Sequence, residues 1–415
     1  GMADSIQRIS GSHASMIRSS SMKAKPKMIT AIITGIARKV QSTILGLSVS
    51  VLFLGALLPG YASSELRYPA PPQMGVSRSP EVTIDTATGT ASMEITVLIY
   101  NVAGLPWPIA EGKTSRDTDA DGNRIPIAGK RSSALKKIGD TLGEMRSQGV
   151  EPDIILLQEA FIADSAEIPK RGGYPNWVAG PGRKDLGPKQ SDRASEEFIA
   201  ERKFLKGEKS GKRQSSGLLL ASNFPIIELY NHPFKQRECG GFDCLANKGV
   251  LAAELEIPGL PDHLILATTH FNSRGASGVT AERALAAHNL QVDDANEFLL
   301  NLGKDDLPFI WGGDLNMRHA DDRLEYFVAR SGDKLNEVSS FCVNPNNDCE
   351  IRIHWETDTP WYETQDLQGW LSGSRVSISP FQVEGMFDEP VDGVMPSDHN
   401  GLLVHYRLSW PISEN

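Results

Sequence analysis

"FIWGGDLNMRH", residues 309–319, decides how this chain is read. The apolar run Phe309-Ile310-Trp311 meets two glycines, and an acid and an amide follow on alternate positions, Asp314 and Asn316. Such a run predicts a buried strand. Side chains two apart on a strand share a face, so Asp314 and Asn316 are expected to face one site together.

Other strand-like runs also end in polar groups. "MEITVLIYNVAGLPWP" ends at Asn101 before a turn rich in Gly and Pro, "PDIILLQEAF" at Gln158-Glu159, and "HLILATTHFNS" at His270 and Asn272. Asp398-His399 stand just before a last strand, "GLLVHYRLSW". "SGLLLASNFPII" and "NKGVLAAELEI" read as further strands. A helix is predicted in "RSSALKKIGDTLGEMRSQG", with Leu135, Ile138, Leu142 and Met145 on one face and Gly149 as its stop. Another spans about 281–301, where Leu285, Val292 and Leu299 repeat every seven residues. Residues 183–216 read as a charged excursion with no core of its own, and 333–392 as loop-rich. With no internal repeat and no second core, residues 93–415 are expected to form one α/β domain.

Ahead of that domain lie an N-terminal extension and signal peptide, residues 1–62, and an extended lead-in, 63–92. Arg38-Lys39 introduces "STILGLSVSVLFLGALLPGYA", and Gly60 and Ala62 are the small residues of a cut after Ala62. An uncleaved membrane anchor is the alternative. Seven of the 42 basic and one of the 52 acidic residues precede the cut, leaving 35 against 51 and a net charge near −16 beyond it. That excess argues against a protein held to nucleic acid by phosphate attraction. Cys239 with Cys244, and Cys342 with Cys349, form two tight pairs. Behind a signal peptide they read as two local disulfide loops, with zinc the alternative, in a secreted or periplasmic protein.

The α/β logic gathers strand ends along one edge, where sites form. Two histidines, three acids and three amides, with no Ser or Cys nucleophile paired to a base, suit metal-assisted hydrolysis by water. Glu159 and Asn101 offer oxygen ligands to a hard cation such as Mg2+ and leave room for waters and a substrate phosphate. His399 is placed to take a proton from the attacking water, and His270 to meet charge on the phosphoryl group. Asp314 then orients or deprotonates water while Asn316 binds a phosphoryl oxygen.

"LIYNVAG", "DIILLQEAF", "ATTHFNS", "IWGGDLNMR" and "SDHNGLLV", in this order over about 94–410, resemble the motifs of the endonuclease/exonuclease/phosphatase (deoxyribonuclease I-like) superfamily. The resemblance implies a four-layer sandwich of two packed, mostly antiparallel β-sheets flanked by helices. It implies phosphoester hydrolysis with a divalent metal, and the roles above for Asn101, Glu159, His270, Asp314, Asn316, Asp398 and His399. Asn272 lies where that family often has a further polar site residue. The family often has an Asp in a late strand as partner of the catalytic His; here "TQDLQGW" offers Asp366. "CGGFDCLANKGVLAAEL" resembles the segment before the central strand of secreted bacterial sphingomyelinases, although Asn247-Lys248-Gly249 also reads as a tight turn. The implied function is a sphingomyelinase-like phospholipase C that releases phosphocholine, a monomer with transient membrane contact. A secreted nuclease, an inositol-polyphosphate phosphatase and a binding protein that has lost catalysis are the rival readings.

"DTDADG", Asp117 to Gly122, copies the start of a calcium loop, but Ala128 stands where the closing Glu belongs, so it reads as a polar surface loop. Trp107, Tyr174, Trp177, Trp355, Trp361 and Trp370 suit either lipid contact or packing under loops.

Overall fold

The computed structural model describes residues 70–106, 109–302, 306–331, 336–355 and 364–412. The chain divides into two units, 1–61 and 62–415. The first unit, the cut after Ala62, Trp107 and Trp361 lie outside the described residues.

Strands run in chain order as β1 (Thr83–Asp85), β2 (Thr90–Asn101), β3 (Thr114–Thr118), β4 (Arg124–Pro126), β5 (Ile154–Gln158), β6 (Asn176–Ala179), β7 (Leu219–Ser222) and β8 (Ile226–Pro233). Then follow β9 (Gly249–Leu255), β10 (Leu264–His270), β11 (Phe309–Asp314), β12 (Asn336–Glu337), β13 (Glu350–Arg352), β14 (Asp366–Leu371), β15 (Ser377–Met386) and β16 (Gly401–Pro411). The long helices are α1 (Arg131–Gln148), α2 (Ala281–Leu302) and α3 (Asp321–Ser331). One sheet has the order β13-β15-β16-β2-β5-β7-β6, with β1 on β2; the second is β12-β14-β11-β10-β9-β8.

Alternation along the strands builds four layers. Val97 and Ile99 of β2 face Leu251, Leu266 and Ile310 of the other sheet in the central core. Leu98 and Tyr100, one residue on, pack against Leu135, Ile138 and Leu142 of α1. On the far side Ile265, Ala267 and Trp311 meet Val292 and Leu299 of α2 and Phe327 of α3. Strands covered on both faces are apolar throughout, which is why they read as unbroken runs. Each fully buried aliphatic side chain contributes about 1.5–3 kcal/mol. Helix α1 stops at Gly149, whose φ of 74° is the left-handed value a C-terminal glycine supplies.

Several expectations are corrected. Residues 336–386 contain β12 to β15, not mainly loop. β14 escaped notice because Gln368 and Gly369 interrupt its apolar pattern, and β15 because Pro380 sits at a bulge. The lead-in is tied down from Gln73, which exchanges backbone hydrogen bonds with Ile226 at 2.8 and 2.9 Å. The excursion docks on α2 through Phe198, packed on Ala287 and Leu290. Tyr174, Trp177 and Trp370 are buried, so they pack and do not meet lipid. "DTDADG" forms the β3–β4 hairpin turn, with Asp119 Oδ1 accepting from the backbone of Asp121 and Asn123 at 3.0 and 2.8 Å. Both expected disulfides, Cys239–Cys244 and Cys342–Cys349, are formed, which leaves no thiol among them for zinc.

The two glycines of the opening stretch have steric causes. A Cβ on Gly312 would lie 2.7 Å from Ile99 Cγ2 of the facing sheet, and one on Gly313 would lie 2.0 Å from the Thr269 carbonyl oxygen. We expect Gly313→Ala to destabilise the fold by about 2 kcal/mol or more, since backbone must move to admit the methyl. Urea unfolding checks this, and an unchanged midpoint would refute it.

Candidate active site

Strand register makes a row of functional side chains. β10 and β11 run parallel and set His270 opposite Asp314; β14 runs antiparallel on the other side and sets Asp366 opposite Asp314. In the other sheet Asn101 pairs with Gln158, which places Glu159 one residue past the end of the neighbouring strand. The sheets meet where Asn101 Nδ2 donates to Asp314 Oδ2 at 3.0 Å. His270 Nε2 and His399 Nε2 lie 3.5 and 3.7 Å from that same carboxylate oxygen. His399 Nδ1 is 2.6 Å from Asp366 Oδ2. Asp366, offered by "TQDLQGW", is therefore the carboxylate partner of His399.

Asn316 reaches the site by a different route from the one expected. The strand ends at Asp314, and Asn316 sits at φ 54°, a left-handed conformation that Asn tolerates. Its backbone N–H donates to Asp314 Oδ1 at 3.1 Å, and its Nδ2 donates to the Phe271 carbonyl at 3.1 Å. Asn272, expected among the site residues, is engaged by neighbouring backbone. Its Oδ1 accepts from Gly240 N–H at 2.9 Å and its Nδ2 donates to the Ser273 carbonyl at 3.0 Å. Asp398 is ion-paired to Lys113 at 3.1 Å.

The two histidines are pushed apart in acidity. Burial, with help from the charges of Lys248, His399 and Lys113, drives His270 well below its ordinary value, so its ring is neutral near pH 7. Burial also opposes charge on His399, but Asp366 and Asp314 outweigh it and raise its pKa to about 9. Burial raises the Asp314 carboxyl above its ordinary range, while His399 works against that rise.

Glu159 has φ 55°, uncommon for a non-glycine residue, and its Oε2 is buried with no hydrogen-bond partner among the described residues. An unpaired buried carboxylate oxygen is costly without a cation, so a divalent ion fits here. Glu159 and the Asn101 carbonyl would supply the hard oxygen ligands that Mg2+ prefers. Asp314, Asp366 and His399 also come close enough together to hold an ion. They fit less well, because His399 Nδ1 and Asp366 Oδ2 already satisfy each other.

Four supporting residues were not singled out from sequence. Lys113 has its proton held more firmly than usual: burial loosens it, but Glu159 and Asp398 more than compensate. The buried Arg131 guanidinium donates to the carbonyls of Val102, Ala103, Ala128 and Pro396, at 2.7–2.9 Å. Buried Arg323 donates to the carbonyls of Asn272 and Asn316 at 2.7 and 3.1 Å. Asp243 pairs with Lys248 at 3.0 Å and accepts from the Ser273 N–H at 2.6 Å. Lys248 itself donates to the Phe271 carbonyl at 2.8 Å, so Asn247-Lys248-Gly249 is part of the site's frame and not only a turn. A lysine in a polar loop and an arginine in a helix carry no periodic signal that would have marked them.

The sequence model described as the endonuclease/exonuclease/phosphatase family matches residues 100–399, which span Asn101 to His399. The chain belongs to that family. Its solved structural relatives include beta toxin from Staphylococcus aureus, 18% identical over 75% of this chain and 99% of that one, TM-score 0.49. They also include sphingomyelinase C from Streptomyces griseocarneus, 16% identical over 75% and 99%, TM-score 0.49. A third is D. rerio TDP2 complexed with single-strand DNA product, 15% identical over 75% and 98%, TM-score 0.47. No curated protein matches the chain. Family membership rests on the matched stretch of sequence and not on these weak structural likenesses. Family members are hydrolases of phosphoesters, and the row His270–Asp314–Asp366–His399 is the kind of acid–base array such chemistry needs.

The His399 pair yields a test that needs no substrate. Metal-free protein should show His399 titrating near pH 9 by NMR, and Asp366→Asn should bring it to or below its ordinary 6.5, because burial then acts with less opposition. A folded-state pKa above the unfolded one stabilises the fold. That contribution is full below pH 6.5 and is lost as pH rises through about 9. An unmoved pKa in Asp366→Asn would exclude Asp366 as the partner.

Proposed function

We propose that this chain is an exported, metal-dependent phosphodiesterase of the sphingomyelinase-like phospholipase C kind, acting as a monomer on phospholipid with transient membrane contact. The reaction class is carried by one observation: two histidines of opposed acidity share the Asp314 carboxylate, bonded to Asn101, and Glu159 past the end of the strand next to Asn101 has a buried oxygen with no hydrogen-bond partner among the described residues. The lipid reading is supported by the likeness to sphingomyelinases of 239–254, a segment tied to the His270 loop by Lys248 on the Phe271 carbonyl and Asp243 on the Ser273 N–H. The two disulfides support export. The resemblance names phosphocholine as the released group; the chemistry is the same for any headgroup.

A divalent cation, Mg2+ by ligand preference, would neutralise phosphoryl charge when bound by Glu159 and Asn101. Asp314 orients the attacking water, held in turn by Asn101 and the Asn316 N–H. His399 in its neutral form takes the water proton, and Asp366 stabilises the imidazolium that results. His270 stays neutral and donates a hydrogen bond to the phosphoryl oxygen that gains charge. Water oxygen bonds to phosphorus as the ester bond on the lipid side breaks, the lipid oxygen leaves as an alcohol after taking a proton from solvent, and His399 later returns its proton to solvent. Asp398 keeps Lys113 beside Glu159, which places a second positive charge at the phosphate.

Purified protein should release phosphorylated headgroup from phospholipid vesicles, with weaker cleavage of plasmid DNA and of soluble inositol phosphates under the same conditions. Chelator should abolish the release. Glu159→Gln should lose both activity and Mg2+ binding by calorimetry while staying folded. His399→Ala and His270→Ala should each cost about a hundredfold or more in kcat, the usual scale for such groups. Efficient plasmid nicking without lipid cleavage would overturn the lipid reading, and full turnover after chelation would overturn the metal.

A further inference from the structure

The two most exposed large apolar side chains among the described residues are chain neighbours, Phe204 at 64% and Leu205 at 68%. They stand on a single 3-10 turn, Phe204–Lys206, inside the charged excursion. Burying a Phe or a Leu is favoured by about tenfold or more, so a turn that keeps both in solvent needs its backbone fixed from elsewhere. Glu208, only 2% exposed, fixes it. Its carboxylate accepts from the Lys203 N–H at 2.5 Å, the Gly241 N–H at 3.0 Å and Arg283 Nε at 2.6 Å. Gly207 closes the turn at φ 80°, its N–H donating to the Phe204 carbonyl at 2.9 Å. Charge rings this tip. Residues 201–213 hold six basic and two acidic side chains, and both acids are engaged by Arg283, Glu208 at 2.6 Å and Glu201 at 3.6 Å. Arg202 and Lys212 donate to the Arg237 and Ala246 carbonyls at 3.1 and 2.9 Å. Lys203, Lys206, Lys209 and Arg213 stand in no ion pair among the described residues.

We infer that the Phe204–Leu205 turn is the surface by which this protein docks on a bilayer that contains anionic phospholipid. The inference takes its phospholipid substrate from the reading above and names the surface that meets it. Two adjacent apolar side chains ringed by ammonium groups match an interface in which acyl chains lie just beneath negative headgroups. Neither term suffices alone, and together they give binding that is firm yet reversible. A tip of two side chains is far short of the roughly 1,000 Å2 that a stable protein partner requires. A second copy presenting the same turn would meet like charge. The turn also rests on the segment that frames the catalytic row. A Cβ on Gly207 would lie 3.0 Å from Leu245 Cγ, and the Leu245 carbonyl accepts from the Arg213 N–H at 2.6 Å. From that same segment Asp243 accepts from the Ser273 N–H at 2.6 Å, and Lys248 donates to the Phe271 carbonyl at 2.8 Å. A bilayer held at the turn is therefore held through braced backbone to the loop that follows His270.

The test uses protein secreted by an expressing host, so that any segment removed on export is absent. Chelator is present, so that binding is read without turnover. Co-sedimentation with phosphatidylcholine vesicles should tighten by about tenfold or more when phosphatidylserine is included, and should weaken as salt rises. Phe204→Ser combined with Leu205→Ser should lower binding to the anionic vesicles by about tenfold or more. Lys203→Gln combined with Lys209→Gln should remove most of the phosphatidylserine preference, at about fivefold per lysine. All four side chains are exposed, so both variants should keep the wild-type urea midpoint. With metal restored, kcat on a soluble short-chain phospholipid should be unchanged while KM on vesicles rises. Wild-type affinity in both variants, with lipid still cleaved, would overturn the docking surface and leave the phospholipase standing. Failure of the wild type to bind either vesicle would also overturn the surface. A dimer by light scattering that the Phe204–Leu205 variant dissolves, with vesicle binding unmoved, would make the turn a contact between copies and overturn it as well. Vesicle binding that the variants lose, in a protein that cuts plasmid DNA and no lipid, would keep the surface and overturn the phospholipase.

Discussion

The Asn101–Asp314 hydrogen bond is the point at which the two sheets become one site. Asn101 ends β2 in one sheet and Asp314 ends β11 in the other. Packed sheets lie about 10 Å apart, so side chains must cross the gap for groups from both to share a reaction centre. Apolar side chains fill that gap for most of its length. Near its polar end the bridges change character: Gln158 donates to Thr268 Oγ1 at 2.9 Å, and Gln368 donates to the carbonyls of Val97 and Leu402 at 2.9 and 3.0 Å. Buried amides that donate across the gap to a hydroxyl and to backbone carbonyls fix the sheets' relative register in a way apolar contact does not. Without this register, Glu159 on one sheet and His270 on the other would have no fixed separation.

The loops that carry the remaining groups are held by buried cations acting on backbone carbonyls. Arg131 gathers the carbonyls after β2 with that of Pro396, which leads into Asp398-His399. Arg323 gathers those of Asn272 and Asn316, and Lys248 that of Phe271. Irregular backbone at a site has no ladder partner, and each carbonyl left bare would cost about 1–3 kcal/mol. One guanidinium with several donors satisfies several such groups and holds them in a fixed mutual geometry. The Ser397 hydroxyl adds a direct tie, donating to the Asn101 carbonyl at 2.6 Å. The site is thus rigid on both sides of the Asn101–Asp314 link before any substrate arrives.

What was legible in the sequence follows from this arrangement. Strand interiors are covered on both faces, so β2, β5, β10, β11 and β16 stood out as apolar runs, and the polar residues that end them marked the site. β14 was missed as a strand because it carries the buried inter-sheet amide Gln368, although Asp366 at its start was noticed for its likeness to a family position. Asn316 was assigned to the site by strand alternation, yet it arrives through a left-handed turn, which a two-residue period cannot distinguish. Arg131, Arg323 and Lys113 act through long-range contacts at sequence separations that no local pattern encodes. Asn272 was counted with the reacting groups because it follows a strand end as they do; only its carboxamide's backbone partners separate it from them.

The opposed acidities of His270 and His399 follow from where the carboxylates stand. Both rings are buried, and burial alone would leave both neutral. His399 is bracketed by carboxylates, with Asp366 at 2.6 Å and Asp314 at 3.7 Å, whereas His270 has Asp314 at 3.5 Å and the positive charge of Lys248 among its neighbours. Burial keeps the adjacent histidine uncharged, and the cation that braces the Phe271 carbonyl adds to that effect. Two chemically identical side chains thereby hold protons differently, which suits the proposed roles of one as a proton carrier and the other as a neutral donor. Lys248 serves both ends at once: it ties down the loop and adds to the burial that keeps His270 without the proton its proposed role requires it to refuse.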